Sequence, residues 1–174
     1  PIFFFLKRNS YSPKSRAVKE AITDSTKMII INTPNNPTGV IYDHNELREI
    51  AMIAHERRIW IVFDECYADL VRSSKKHRNI VALYEPIKEL TLIINSFSKS
   101  FALTGWRIGY VCGPEKIIKA IANLQGHTTS NPSSIAQFAV CHALKHGNSD
   151  FIAKANEELD RRQVKAMSIV RTIE

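Results

Sequence analysis

The sequence predicts an α/β fold, a three-layer αβα arrangement around a mostly parallel central sheet. Two observations predict it. Short β-branched apolar runs alternate with amphipathic helical stretches, as in sheets whose strands are buried on both faces and joined by helical crossovers. In addition, a polar cluster follows each of three such runs: Asn35-Asn36, Asp64 to Tyr67, and Ser96 to Lys99. Open α/β sheets gather their ligands at the carboxyl ends of the strands, so three such clusters point to one shared site.

Taken in order, Pro1 to Leu6 reads as a strand and Lys7 to Ser12 as a polar loop. Pro13 suits the first turn of a helix that runs to about Ile22. Met28 to Ile31 is a short buried strand, and the prolines, asparagines and glycine of Asn32 to Gly39 make a rigid turn after it. Asp43, with Glu46 three residues on, forms a capping-box-like helix start. Leu47, Ile50, Ala51 and Ala54 then share one helical face. Ile59 to Phe63 is the next buried strand, with Asp64-Glu65-Cys66-Tyr67 at its carboxyl end, and Ser73 to His77 is a charged loop. Leu90 to Ile94 and Arg107 to Cys112 are two further strand-like runs.

Pro114 and Glu115 open a helix with Ile117, Ile118, Ile121 and Leu124 inward. Gly126 to Pro132 reads as a polar loop. The next helix places Ile135, Phe138, Ala139 and His142 on one face, which makes His142 a packed core histidine rather than a base. Gly147 is its stop. From Ser149 a long amphipathic helix follows, with Glu157–Arg161 and Glu158–Arg162 as favourable i,i+4 pairs.

A chain of 174 residues can bury a sizeable core, and 44% hydrophobic with 24% charged residues is ordinary for a globular domain. The net charge of +7 suits nucleic acid, an anionic cofactor or acidic substrates equally. Its lysines and arginines are scattered rather than blocked, which speaks against a nucleic-acid arm. Cys66, Cys112 and Cys141 are odd in number, far apart and lack CxxC spacing. That excludes a disulfide framework and a zinc site, and predicts a reducing, cytoplasmic compartment with no resident metal. No apolar run reaches the roughly 18 residues of a membrane span, and no signal-peptide pattern is present. The chain begins at Pro1 inside an apolar run, as expected of a piece of something longer.

The stretch Ser96 to Tyr110 carries the chemistry. It holds Lys99 among hydroxyls, with Arg107 eight residues later. Hydroxyls and an arginine fork are what a phosphate needs, and a lysine among them can hold a carbonyl compound as a Schiff base. A lone solvated lysine would be the plain alternative, but the other two clusters complete a pattern. If the carbonyl compound is pyridoxal phosphate, its ring nitrogen needs a carboxylate, which Asp64 offers. Its ring oxygen needs donors, which Tyr67 and Asn36 offer, and these tune the reactivity of the lysine adduct. Ser96, Ser98 and Arg107 suit the phosphate, with Ser98 either in that role or capping the turn. A freed Lys99 would be the general base.

Asn35-Asn36-Pro37-Thr38-Gly39, Asp64-Glu65-x-Tyr67 and Ser96-x-Ser98-Lys99-x-Phe101-x-x-Thr104-Gly105-Trp106-Arg107-Ile108-Gly109-Tyr110 together resemble the signature series of class I/II aminotransferases. Those are fold-type I pyridoxal-phosphate enzymes. The resemblance spans nearly the whole chain and is nearest to the bacterial aspartate aminotransferase subgroup through Thr104 to Arg107 and Thr128-Thr129-Ser130-Asn131-Pro132. It implies that residues 1–148 are the central, incomplete part of the family's cofactor-binding large domain and that 149–174 are a long helix leading toward a missing carboxyl-terminal small domain. It also implies Lys99 as the Schiff-base lysine, Asp64 at the pyridine nitrogen, Tyr67 and Asn36 at O3′, and Ser96 and Arg107 at the phosphate. Amino acid and 2-oxo acid substrates, of aspartate/2-oxoglutarate type, follow from the same resemblance. So do a homodimer, for which Gly126 to Ser133 is the candidate interface loop, and a cis Asn36–Pro37 bond.

Two departures accompany it. Where animal-type aspartate enzymes carry an arginine that reads the distal carboxylate, this chain has Gly126, so another residue reads a dicarboxylate or the substrate differs. The chain is also less than half of a family member and lacks the segment that anchors the substrate α-carboxylate, so it is expected not to turn over alone. A pyridoxal-phosphate β-lyase or an enzyme like aminocyclopropane-carboxylate synthase would use the same cofactor residues, because the cofactor carries the hard chemistry. From other classes, Ile59 to Glu65 is similar to a Walker B strand, but no GxxxxGK[ST] accompanies it. A basic nucleic-acid module would want clustered basic residues interleaved with exposed aromatics, whereas the aromatics here sit mostly in strands. Cys66 and Trp106 read as packing residues, Glu65 as a structural acceptor, and His127 as either solvent-exposed or facing a neighbouring subunit.

Overall fold

The computed structural model of the protein describes residues 11–71 and 76–173. The strand expected over Pro1 to Leu6, and most of the Ser73 to His77 loop, lie outside them. Four strands are present among the described residues: β1 (Met28–Asn32), β2 (Trp60–Asp64), β3 (Thr91–Ser96) and β4 (Gly109–Cys112). They lie in the order β1-β2-β3-β4. The first three run parallel, with Ile31 beside Phe63 and Phe63 beside Ile93, and β4 pairs antiparallel with β3. The sheet is mixed and mostly parallel, as predicted.

The helices are α1 (Ser15–Ala21), α2 (His44–Glu56), α3 (Ile80–Leu83), α4 (Phe97–Ser100), α5 (Glu115–Thr128), α6 (Ser134–His146) and α7 (Ser149–Val170), with 3-10 turns at Glu85–Leu90 and Thr104–Trp106. Neither α3 nor the 3-10 turn after it was anticipated from the sequence. The expected face of α2 is the buried one. Leu47, Ile50, Ala51 and Ala54 pack with Ile31, Ile61 and Phe63 of the sheet and with Ile80, Ile87 and Leu90. This cluster covers one face of the sheet. On the other face Ile30 stays 73% exposed and Ile94 is exposed too, so the expected cover on both faces is met on one face only among the described residues.

Asp43 caps α2 as predicted, its carboxylate accepting from the amides of Asn45 (2.9 Å) and Glu46 (3.2 Å). The reciprocal half of the capping box is not made. Glu46 turns away to α1, where it accepts from the Ser15 amide (2.6 Å) and the Lys14 ammonium (2.9 Å). The first amides of a helix have no partner within it, and packing brings Glu46 to one of them. That backbone bond, followed by the Lys14 bond, holds the Glu46 carboxyl below its ordinary pKa. Glu46 therefore binds its proton less tightly in the folded chain than in the unfolded one. Its contribution to stability is present above the ordinary carboxylate range and is lost as pH falls through the lowered folded value. In urea titrations from about pH 7 to about pH 3, the midpoint of Glu46→Gln should lie below wild type at neutral pH and converge on it as the pH falls. A constant gap across that range would show that Glu46 stabilises only by packing.

The helices after the sheet depart further from expectation. α5 continues through Gly126 to Thr128, three residues into the expected loop, and Leu124 is 67% exposed rather than inward. α6 docks with Ala136 and Val140 against Phe97 and Ile108. The expected face points outward instead: Ile135 and Phe138 are exposed, the latter 79%, and so is His142, which is not a core histidine. An i,i+4 row with a small residue lets the helix approach the β4 end closely, and the bulkier row is left outside. Gly147 ends α6 in a positive-φ conformation as expected (φ +75°). On α7, Glu158 binds both Arg161 and Arg162. α7 touches the sheet end through the Asn156 amide, which donates to the Asp69 carbonyl (3.1 Å).

Candidate functional site

The register places Asn32 beside Asp64 and Asp64 beside Ile94, so the carboxyl ends of the three parallel strands stand side by side. Each leads into a turn whose shape follows from its own side chains.

After β1, the Asn32 side-chain oxygen accepts from the Asn36 amide (3.0 Å) and from the Asn35 side chain (3.1 Å). Asn35 in turn accepts from the Thr38 hydroxyl (2.7 Å). The Thr33 hydroxyl, fully buried, accepts from the Tyr42 amide (3.0 Å) and ties the far end of the turn down. Thr33–Pro34 and Asn36–Pro37 are both cis; the second was expected, the first was not. This turn presents the Asn36 amide, which donates to the Tyr67 hydroxyl at 3.3 Å.

After β2, the Asp64 carboxylate accepts from the Cys66 amide (3.1 Å), an Asx turn. The Glu65 amide bonds Ile94 of β3 (3.0 Å), and the Ala68 amide bonds the Glu65 carbonyl (2.9 Å). Tyr67 sits inside the turn so closed. Burial, then the bond and charge of Asp64, push the Cys66 thiol up to about 12, so Cys66 stays a protonated thiol at neutral pH.

After β3, Ser96 caps α4, its hydroxyl accepting from the Ser98 amide (3.1 Å). The capping hydroxyl in this turn is thus that of Ser96, and Ser98 supplies the amide. Lys99, in the one-turn helix α4, has its ammonium 5.3 Å from the centre of the Tyr67 ring. That is within cation–π range. Asn36, Tyr67 and Lys99, read from three separate strand ends, therefore meet.

Arg107 has φ +50°, and its guanidinium donates to the Thr104 carbonyl (2.9 Å). The strand that follows pairs Gly109 opposite Ser96, which brings the arginine turn back to the start of α4. A Cβ on Gly109 would lie 2.7 Å from the Asn95 carbonyl oxygen, so only glycine allows this close pairing. Gly109→Ala should cost about 1–3 kcal/mol by forcing β3 and β4 apart, read as a lower urea midpoint with an unchanged slope. An unchanged midpoint would mean that the strands tolerate the separation.

A cleft of about 400 Å³ opens beside this trio, lined in part by Pro34, Asn36, Ile41, Tyr67, Leu70 and Gln163. It shares Asn36 and Tyr67 with the trio, and Lys99 is not among its walls. Among the described residues, no group of three or more His, Cys, Asp or Glu is arranged to hold a metal ion, and no helix is long and apolar enough to cross a membrane.

Sequence reasoning missed the residues that shape the turns. Asn32, at the end of a strand and followed by an Asn-rich turn, could have been found as an Asx acceptor. The partners of Glu65, namely His77 (3.0 Å) and Asn79 (3.0 Å), carry no local signal.

The family model for aminotransferase class I and II matches residues 3–171. An aspartate aminotransferase of Bacillus subtilis is 45% identical over 157 residues, which is 90% of this chain and 40% of that protein. A probable aspartate/prephenate aminotransferase of Aquifex aeolicus is 40% identical over 158 residues, again 90% of this chain and 40% of the relative. Among solved structures, a tetra mutant of the Thermus thermophilus aspartate aminotransferase superposes with a TM-score of 0.88 at 35% identity, covering 97% of this chain and 46% of its own. The chain spans about two fifths of the length of the curated relatives it matches.

Proposed function

The chain belongs to the class I and II aminotransferase family, and from that premise we propose that it carries the cofactor-binding core of a pyridoxal-phosphate-dependent aminotransferase of the aspartate type. The observation that carries this reading is the meeting of Asn36, Tyr67 and Lys99 at adjoining strand ends. The substrates would be an amino acid and a 2-oxo acid, and the assembly a homodimer. A cytoplasmic location is part of the same reading, supported by the free thiols of Cys66, Cys112 and Cys141.

The residues present fit the cofactor. The Tyr67 hydroxyl accepts from Asn36, so its own proton is free to be donated to a ring oxygen. The Asp64 carboxylate accepts from the Cys66 amide, and a carboxylate's two oxygens offer about four acceptor sites, which leaves capacity for a protonated ring nitrogen. Lys99 would hold the cofactor covalently, Asp64 its ring nitrogen, Tyr67 and Asn36 its ring oxygen. Ser96, Ser98 and Arg107 would hold its phosphate. Pyridoxal phosphate bound there would supply an electron sink that acidifies the substrate Cα–H.

The chain's own groups do the rest. Asp64 would keep a proton on the ring nitrogen, because a carboxylate at that point favours the charged form. Tyr67, polarised by Asn36, would stabilise negative charge on the ring oxygen. Lys99, freed by a substrate amino group, would be the general base that moves the proton between the substrate Cα and the cofactor's C4′.

The test is made on the purified chain mixed with pyridoxal phosphate, reduced with borohydride and digested for mass spectrometry. Label concentrated at Lys99 over the other lysines is the expected result. Label spread evenly over the lysines would overturn the assignment of Lys99.

A further inference from the structure

We propose that Glu65 and His77 form a positioning device for this site, a buried pair that holds the turn carrying Tyr67 and so sets the face that Tyr67 presents to Lys99. The proposal rests on the reading of Tyr67 and Lys99 as site residues.

Along β2 the side chains alternate in direction. Phe63 and Glu65 point to the helix-covered side, and Asp64 between them points to the other. On the covered side, His77 donates from Nε2 to the Glu65 carboxylate at 3.0 Å, with side chains only 8% and 14% exposed. The carboxylate cannot donate, so Nε2 carries the proton. The Asn79 amide donates to the same carboxylate oxygen at 3.0 Å, while its own side-chain oxygen caps α3 through the Val81 amide (2.9 Å). Glu65 is therefore tied to a residue twelve positions on in the chain and, through Asn79, to the start of the helix that lies in the core.

Two features separate this pair from ordinary packing. The His77 ring stacks on the fully buried Phe63, centroids 5.9 Å apart, yet its Nδ1 is buried with no partner among the described residues. An apolar side chain would stack there without stranding a ring nitrogen, which is costly to bury. The imidazole is worth having at this position for its Nε2–H. Glu65 also stands at the hinge of the site. Its amide is bonded to β3, its carbonyl closes the turn at Ala68, and Tyr67 lies between. With its carboxylate also held, Glu65 is fixed at backbone and side chain alike, and the turn has one orientation. Without His77 the turn keeps its backbone bonds and the Asn79 bond but loses one of the two side-chain anchors that set its tilt over Lys99.

The test reads the Lys99–Tyr67 contact directly, without cofactor, so failure to bind pyridoxal phosphate would leave it interpretable. The lysines of the chain are methylated with ¹³C-formaldehyde and borohydride, and the Lys99 signal is assigned by its loss in Lys99→Arg. Over the Tyr67 ring this signal should be displaced upfield of the other lysine methyls, and Tyr67→Leu should abolish the displacement. In His77→Ala the displacement should be reduced while the other lysine signals stay in place. His77→Gln, which offers an amide N–H near the Nε2 position, should restore it. An undisplaced Lys99 signal in the wild type, an unchanged displacement in His77→Ala, or equal loss in His77→Ala and His77→Gln would each overturn the proposal. If His77→Ala does not fold, Glu65→Gln, which preserves shape and removes the charge of the acceptor, is read the same way. A reduced displacement supports the device and an unchanged one overturns it.

Discussion

In Lys99→Ala, covalent labelling of the chain by pyridoxal phosphate and borohydride is expected to fall to the level of a surface lysine. The chain carries 13 lysines, so many amines compete for the aldehyde, and preference for one of them must come from position. Lys99 has that position. It sits in the one-turn helix capped by Ser96, with its ammonium over the Tyr67 ring and the strand ends that bear Asp64 and Asn36 alongside. Prepositioning of this kind supplies large factors in rate and occupancy. Alanine removes the only group that can form the bond, so the effect at that site is complete rather than graded. The fold should barely notice. Lys99 is half-buried rather than part of the fully buried core, so stability read by urea unfolding should change by about 0.5 kcal/mol or less. Total label equal to that of the wild type, spread over other lysines, would show that Lys99 has no special place.

The largest effect on stability is expected for Phe63→Ala. Phe63 is 0% exposed. It lies at the centre of the sheet, beside Ile31 on one strand and Ile93 on the other, and packs in the cluster that α2 covers. Truncating a buried phenylalanine costs the transfer of its ring and leaves a cavity, together about 3–5 kcal/mol. For a domain of this size that is roughly 10 °C in Tm. The variant also removes the surface on which His77 stacks, so the loss should include the anchoring of Glu65. Ile30→Ala serves as the control. It is one residue from Ile31 but 73% exposed on the uncovered side of the sheet, and should change stability by about 0.5 kcal/mol or less. Comparable losses in the two variants would mean that the outer face of β1 is as buried in solution as the inner one.

Much of the fold was legible because its signals are local. The buried face of α2 follows from the spacing of Leu47, Ile50, Ala51 and Ala54, and the four short strands from apolar runs bounded by turn residues. The site was legible for a related reason. Asn36, Tyr67 and Lys99 each close a strand, and parallel strands bring their carboxyl ends to one edge whatever the details of packing. The same logic failed for α6. Its largest apolar residues, Ile135 and Phe138, suggested the inner face, while Ala136 and Val140 make the contact. Hydrophobic size says which residues gain by burial; the shape of the partner decides which row fits.

What the chain's sequence determined by itself was therefore the alternation of strands and helices, the order of the polar clusters along it, and the chemistry those clusters can offer. Tertiary structure alone decided the partners. It turned Glu46 from its own helix to the free amide of Ser15, tied Glu65 to His77 and Asn79, and laid the Arg107 guanidinium on the Thr104 carbonyl. Periodicity is a property of neighbours in the chain and can be read from it. A charged or polar side chain takes whichever donor or acceptor packing brings within about 3 Å, and that choice is made only when distant segments meet.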